Sequence, residues 1–193
     1  MPSTLSHLLM QIPHRISVDR TMASHSGDEP MGLRRIKDRV KVGSVAPDFT
    51  LPSQAGEMVS LKDFLGRKSV VLFFYPKDNS PGCTREVSAF KDYFEEFEKL
   101  DAEVIGISSD SVESHRSFAA KHDLSFALLS DEGGNIRRLY AVPKTFGLFP
   151  GRVTYVIDKE GVMRHVFASQ LSVERHVQEA LRALRSDVSK DGA

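Results

Sequence analysis

The spacing of apolar residues changes period several times along this chain. Ser69-Val-Val-Leu-Phe-Phe-Tyr75 is an unbroken apolar run between Lys68 and Pro76, the signature of a central strand buried on both faces. Beyond it, Val87, Phe90, Phe94, Phe97 and Leu100 recur at helical spacing. Glu86, Lys91, Asp92, Glu95, Glu96 and Glu98 fill the intervening positions, which predicts one long amphipathic helix with its aromatic stripe on a sheet. Strands are predicted over Ala102–Ser108 and Phe126–Leu129, with a helix over Ser111–Lys121 capped by Ser111 or Asp110. A short helix follows over Asn135–Tyr140. Val153–Ile157 and Val162–Phe167 read as a hairpin across Asp158-Lys-Glu-Gly161, and Phe49–Leu51 with Met58–Ser60 as a smaller one across Ser53–Gly56. The closing helix spans Val173–Ser186, with Val177, Ala180, Leu181 and Leu184 on one face. Strands alternating with helices imply parallel pairs, and the late hairpin adds antiparallel ones. The class is α/β: a mixed central sheet flanked by helices.

The pattern begins at about residue 40. Residues 1–39 lack a useful apolar period and read as a disordered extension, residues 40–187 as one domain, and residues 188–193 as a flexible tail. Leu5, Leu8, Leu9, Ile12 and Ile16 stand with Arg15 and Arg20 in an acid-poor stretch, as in an organelle transit peptide.

Composition narrows the function classes. The 193 residues carry no formal net charge, so neither a basic footprint for nucleic acid nor an acidic tail is present. No run approaches the roughly 20 apolar residues that span a bilayer. The seven histidines lack ligand spacing, and no metal site is expected. A single cysteine, Cys83, excludes internal disulfides, zinc ribbons and CxxC redox motifs. A reduced thiol suits the cytoplasm or a similarly reducing compartment.

Cys83 sits in Pro76-Lys-Asp-Asn-Ser-Pro-Gly-Cys-Thr84, a turn running into a helix. Helix starts present amides with no intrahelical acceptor, and these with the helix dipole favour a thiolate. Ionisation alone raises the reactive fraction by a few tens-fold at most, because an ordinary thiol is already a few per cent ionised at neutral pH. Further acceleration requires donors aimed at charge that moves in the transition state. Ser80 can place a hydroxyl there, the amides of Gly82 and Cys83 add main-chain donors, and Pro76 and Pro81 stiffen and shield the loop. A guanidinium is the preferred cation because its fork makes two bonds. Arg152, opening a buried strand after Phe149-Pro-Gly151, needs a partner. Glu86 on the first turn of the Cys83 helix is a candidate, whereas Arg85 is expected to face solvent.

These residues resemble the peroxiredoxin family through its PxxxS/TxxC signature, met by Pro76, Ser80 and Cys83. The resemblance is closer to the bacterioferritin-comigratory, or peroxiredoxin Q, branch. It is carried by Phe73–Thr84, Val45–Leu51, Val104–Asp110, Leu129–Gly133 and Pro150–Asp158, in order along residues 40–185. The resemblance implies a thioredoxin-like fold and thiol-dependent reduction of hydrogen peroxide and organic hydroperoxides, without cofactor. It implies Cys83 as the peroxidatic nucleophile that becomes a sulfenic acid, Ser80 in a role usually held by Thr, Arg152 as activating guanidinium, and Glu86 as the partner orienting it. Many members of the branch carry a resolving cysteine five residues after the peroxidatic one; here that position is Ser88. The chain therefore reads as a 1-Cys enzyme, monomeric or weakly dimeric, reduced by thioredoxin, glutaredoxin or a small thiol. The rival from another class is a redox sensor whose oxidised Cys83 signals without turnover.

Overall fold

The computed structural model describes residues 40–145 and 149–191. The expected disordered extension and its transit-like segment lie outside the described residues. Strands β1 (Thr50–Pro52) and β2 (Met58–Ser60) form the small antiparallel hairpin. A 3-10 turn at Leu61–Asp63 leads to β3 (Ser69–Phe74), in which every residue is buried. Helix α1 (Pro81–Asp92) and the short α2 (Phe94–Lys99) precede β4 (Ala102–Ser108). Helix α3 (Val112–His122), β5 (Ala127–Ser130) and α4 (Asn135–Leu139) follow. Two short strands, β6 (Lys144–Thr145) and β7 (Phe149–Pro150), pair with each other. The chain closes with β8 (Val153–Ile157), β9 (Met163–Ala168) and α5 (Val173–Asp191).

The main sheet has five strands in the order β5-β4-β3-β8-β9. β3 runs parallel to β4, and β4 to β5, while β8 is antiparallel to both β3 and β9. This is the mixed sheet expected from the sequence. Alternation along β3 divides the core. Val71 and Phe73, with Tyr75 just beyond the strand, pack with Val87, Phe90, Phe97, Phe118, Val177 and Leu181 on the face covered by α1, α2, α3 and α5. Val70, Leu72 and Phe74 pack with Phe49, Leu61, Tyr140, Tyr155 and Met163 on the other. Phe73 stacks on Phe90 with centroids 4.3 Å apart. Gly106 of β4 admits that aromatic layer: a Cβ there would stand 2.7 Å from Phe73 Cζ and from Leu128 Cδ2.

Two expectations change, and one choice between alternatives is decided. The long helix after Cys83 is broken at Tyr93, which has φ −105 and ψ 11. There the bonding tightens to an i+3 step from Glu96 N to Tyr93 O. Tyr93 lies on the exposed side while Phe90 and Phe97 remain buried, so the apolar spacing passes through the break undisturbed. Helix α3 is capped by Ser111, which accepts from Ser114 N at 3.3 Å; Asp110 instead accepts from Asp78 N and Ser108 Oγ. Helix α5 continues to Asp191, into the segment expected to be a flexible tail from residue 188. No glycine or proline interrupts it before Gly192, so nothing local stops the helical ladder where the apolar stripe ends.

Candidate active site

The site forms where β3 ends. Pro76 cannot continue a strand ladder, and Asn79 turns the chain through a left-handed conformation at φ 57. Ser80 is the extended N-cap residue of α1, and Pro81 occupies a first-turn position whose missing N–H costs nothing. Cys83 is thus the third helical residue, facing inward and 1% exposed. In the antiparallel ladder Phe74 pairs with Val153. Arg152, one residue before β8, therefore stands level with the exit of β3, 69 positions from Cys83 in sequence but beside it in space.

Nη2 of Arg152 donates to Cys83 Sγ at 3.4 Å, and Nη1 donates to Oε2 of Glu86 in a buried ion pair. Glu86 follows Cys83 by three residues and so shares its helix face. Gly82 leaves room for the guanidinium, since a Cβ there would lie 3.3 Å from Arg152 Nη2. Burial pushes the Glu86 carboxyl up, and Arg152 pulls it back down. Its second oxygen has no hydrogen-bond partner and lies 3.8 Å from Nδ1 of His176. His176, fully buried on α5, has Ser169 O 2.9 Å from Nε2 and Thr154 Oγ1 2.8 Å from Nδ1. The carbonyl can only accept, so Nε2 carries the proton and Thr154 donates to Nδ1. Burial lowers this imidazole to about 4, leaving it neutral beside the ion pair.

A second buried cluster secures the loop. Asp78 accepts from Tyr75 OH at 2.8 Å and Ser114 Oγ at 2.7 Å, and its carboxylate lies 2.9 Å from His115 Nδ1. Burial opposes ionisation of Asp78, but His115, Ser114 and Tyr75 outweigh it and hold the carboxyl below its ordinary value. The 76–80 loop is thereby pinned to α3.

The structure brings Cys83, Arg152 and Glu86 together and places Pro76 at the strand exit. Ser80 is at the N-cap, but its hydroxyl donates to Lys77 O at 3.1 Å and makes no capping bond. Arg85 is exposed, as expected. Sequence reasoning missed His176, His115, Asp78 and Arg137, all buried. His176 falls on the α5 stripe with Val173, Val177 and Ala180, and His115 shares an α3 face with Phe118 and Ala119. A polar residue on an apolar stripe is the signal that marks them.

A buried thiol at a helix start, in contact with a guanidinium held by a buried carboxylate, defines a thiol redox site on a thioredoxin-like fold. The AhpC/TSA family model matches residues 42–166. A curated relative, chloroplastic peroxiredoxin Q of Sedum lineare, is 46% identical over 174 residues, covering 90% of this chain and 93% of that protein. Its Arabidopsis thaliana counterpart is 50% identical, covering 77% of this chain and 68% of the relative. Among solved structures, the peroxidoxin BcpB of Mycobacterium tuberculosis superposes with a TM-score of 0.71 at 36% identity, covering 76% of this chain and 97% of that one. The Xanthomonas campestris bacterioferritin comigratory protein, described for its alkyl peroxide reduction activity, gives 0.67 at 32% identity, covering 72% and 91%. The chain belongs to the AhpC/TSA family and is a thiol peroxidase related to the peroxiredoxin Q proteins.

Proposed function

We propose that Cys83 is the peroxidatic nucleophile of a 1-Cys cycle acting on hydrogen peroxide and organic hydroperoxides in antioxidant defence. The observation that carries this reading is the 3.4 Å contact between Arg152 Nη2 and Cys83 Sγ. The thiolate attacks the terminal oxygen of ROOH; the S–O bond forms as the O–O bond breaks. The departing RO⁻ gathers the charge that sulfur gives up and takes a proton to leave as alcohol or water. Arg152, with the Gly82 and Cys83 amides, serves as the donor set for that moving charge. Glu86 fixes the fork of Arg152, and Pro76 walls the site. Ser80 supplies a hydroxyl to the peroxide once its bond to Lys77 O is exchanged.

The sulfenic acid is then reduced from outside, because the chain has one cysteine. An external thiol attacks sulfur and releases water, and a second thiol resolves the mixed disulfide. Thioredoxin, glutaredoxin with glutathione, or another small thiol fits this role. Without a resolving cysteine the sulfenic acid is open to further oxidation to the sulfinic acid. The chloroplastic names of the curated relatives and the arginine-bearing N-terminal segment favour an organelle address over the cytoplasm. Steady peroxide consumption with each candidate reductant tests the cycle. Turnover with at least one thiol supports it; one equivalent consumed per chain with every thiol supports a sensor instead.

A further inference from the structure

One buried carboxylate takes no part in the steps above. Asp78, 5% exposed, lies in the loop between β3 and α1, five positions before Cys83. Tyr75 OH donates to its Oδ1 at 2.8 Å, and Ser114 Oγ donates to its Oδ2 at 2.7 Å. His115 Nδ1 donates to the same Oδ2 at 2.9 Å, and its Nε2 lies 3.2 Å from Leu129 O, so the ring is held from both ends. The backbone N–H of Asp78 donates to Asp110 Oδ2 at 2.9 Å, and Ser108 Oγ donates to that oxygen at 2.6 Å. An ionised carboxylate can accept from three donors at once, whereas an amide in its place turns a donor toward one of them.

Asp78 is the main fastening of this loop. Among the described residues, one further side-chain bond joins residues 76–80 to another element: Lys121 Nζ donates to Asn79 Oδ1, exposed and at 3.3 Å. The link from Asp78 to Cys83 is stiff. Asn79 is left-handed at φ 57, a conformation that an L side chain keeps only where its neighbours are fixed. Pro81 locks its own φ, and a Cβ on Gly82 would stand 3.3 Å from Arg152 Nη2. The 3.4 Å contact between Arg152 and Cys83 therefore joins two separately anchored pieces. Arg152 enters just ahead of β8, and Cys83 on a turn whose place Asp78 sets.

We propose that Asp78 is a positioning residue for peroxide reduction: it gathers Tyr75, Ser114 and His115 around one carboxylate and so holds Cys83 in line with the donors of Arg152 and the helix start. The proposal rests on Cys83 being the nucleophile. Asp78 acts through the turn, so its effect is confined to reactions that use those aimed donors.

The test uses the full reduced chain with Asp78→Asn and follows two reactions of Cys83. Both are run at an alkaline pH where ultraviolet absorbance shows the thiol fully ionised in parent and variant, so ionisation drops out of the comparison. Oxidation by hydrogen peroxide needs the donors, because charge gathers on the departing oxygen. Alkylation by iodoacetamide does not: sulfur bonds to carbon and iodide leaves. A displacement of about 1 Å costs a donor-assisted step about 100-fold. The ratio of oxidation rate to alkylation rate therefore falls about 100-fold in Asp78→Asn, whereas a role in folding alone leaves it at the parent's value. A folded Asp78→Asn protein with the parent's ratio overturns the proposal. Should Asp78→Asn fail to fold, Ser114→Ala decides. It removes one bond to the carboxylate at a half-buried residue, and the ratio must fall about tenfold; the parent's ratio there overturns the proposal. A parent whose ratio matches that of free cysteine sinks the peroxidase reading and this proposal with it. A parent ratio above that of free cysteine, unchanged in the variants, sinks the proposal alone.

Discussion

Replacing Arg152 by Met removes the cation in contact with the Cys83 sulfur while roughly keeping the volume. At 3.4 Å and an effective dielectric constant of about 20, the gross attraction between guanidinium and thiolate is about 5 kcal/mol. Glu86 offsets part of it, and the loss of one aimed donor at a developing charge elsewhere costs about 100- to 1000-fold in rate. The same range is expected here for kcat/KM. Full ionisation of the thiol can return only a few tens-fold, so a deficit of about tenfold must persist in alkali. The variant should fold, because burial already pushes the Glu86 carboxyl up even with Arg152 present. Without that cation the carboxyl takes a proton and is a neutral buried group, which spares the larger cost of an orphaned charge. Stopped-flow peroxide reduction by parent and variant, from neutral to alkaline pH, reads the deficit directly. A variant whose rate rejoins the parent's once the thiol is ionised would refute transition-state stabilisation and leave Arg152 as a group that only promotes ionisation.

Other expectations follow from the packing. His176 is held neutral by burial, its titration moved from 6.5 down to about 4. It therefore contributes stability above pH 6.5 that is lost as pH falls toward 4, about 3 kcal/mol over that window. Denaturant melts should show the parent losing that much more than His176→Gln, and parallel curves would contradict the assignment. Gly106→Ala forces a methyl within 2.7 Å of Phe73 and Leu128 and should cost about 1–3 kcal/mol in a urea melt; an unchanged midpoint would show a looser core. In Gly151→Ala a Cβ would lie 1.9 Å from the Pro143 carbonyl oxygen, so the start of β8 must shift and carry Arg152 with it. A misplacement of about 1 Å can cost about 100-fold in rate, and a parent-like kcat/KM would show that Arg152 tolerates displacement.

Much of this architecture was legible in the chain because its cause is local. The run from Ser69 to Tyr75 is apolar at every position, and a strand buried on both faces has no other pattern available. The Cys83 turn announces itself through two prolines and a glycine around a helix start. That Arg152 needs a partner followed from the rule that a charge entering a core strand needs a counter-charge, and the candidate Glu86 is the residue in contact with it, 66 positions away. The break at Tyr93 was invisible because no proline or glycine marks it and the aromatic spacing suits either geometry. Arg137, His115 and His176 were missed for a different reason. Their burial depends on acceptors supplied by distant backbone: the carbonyls of Tyr75, Gly151, Leu129 and Ser169. Composition reads such residues as solvent-facing, and only the assembled sheet reveals what they hold.

The most direct test is intact-mass analysis of the reduced chain after one equivalent of hydrogen peroxide, followed by excess thiol. The account predicts one added oxygen atom located on Cys83, removed by the thiol through a mixed disulfide, and no such gain in Cys83→Ser. Oxygen placed elsewhere, or a Cys83→Ser protein that still consumes peroxide catalytically, would contradict it.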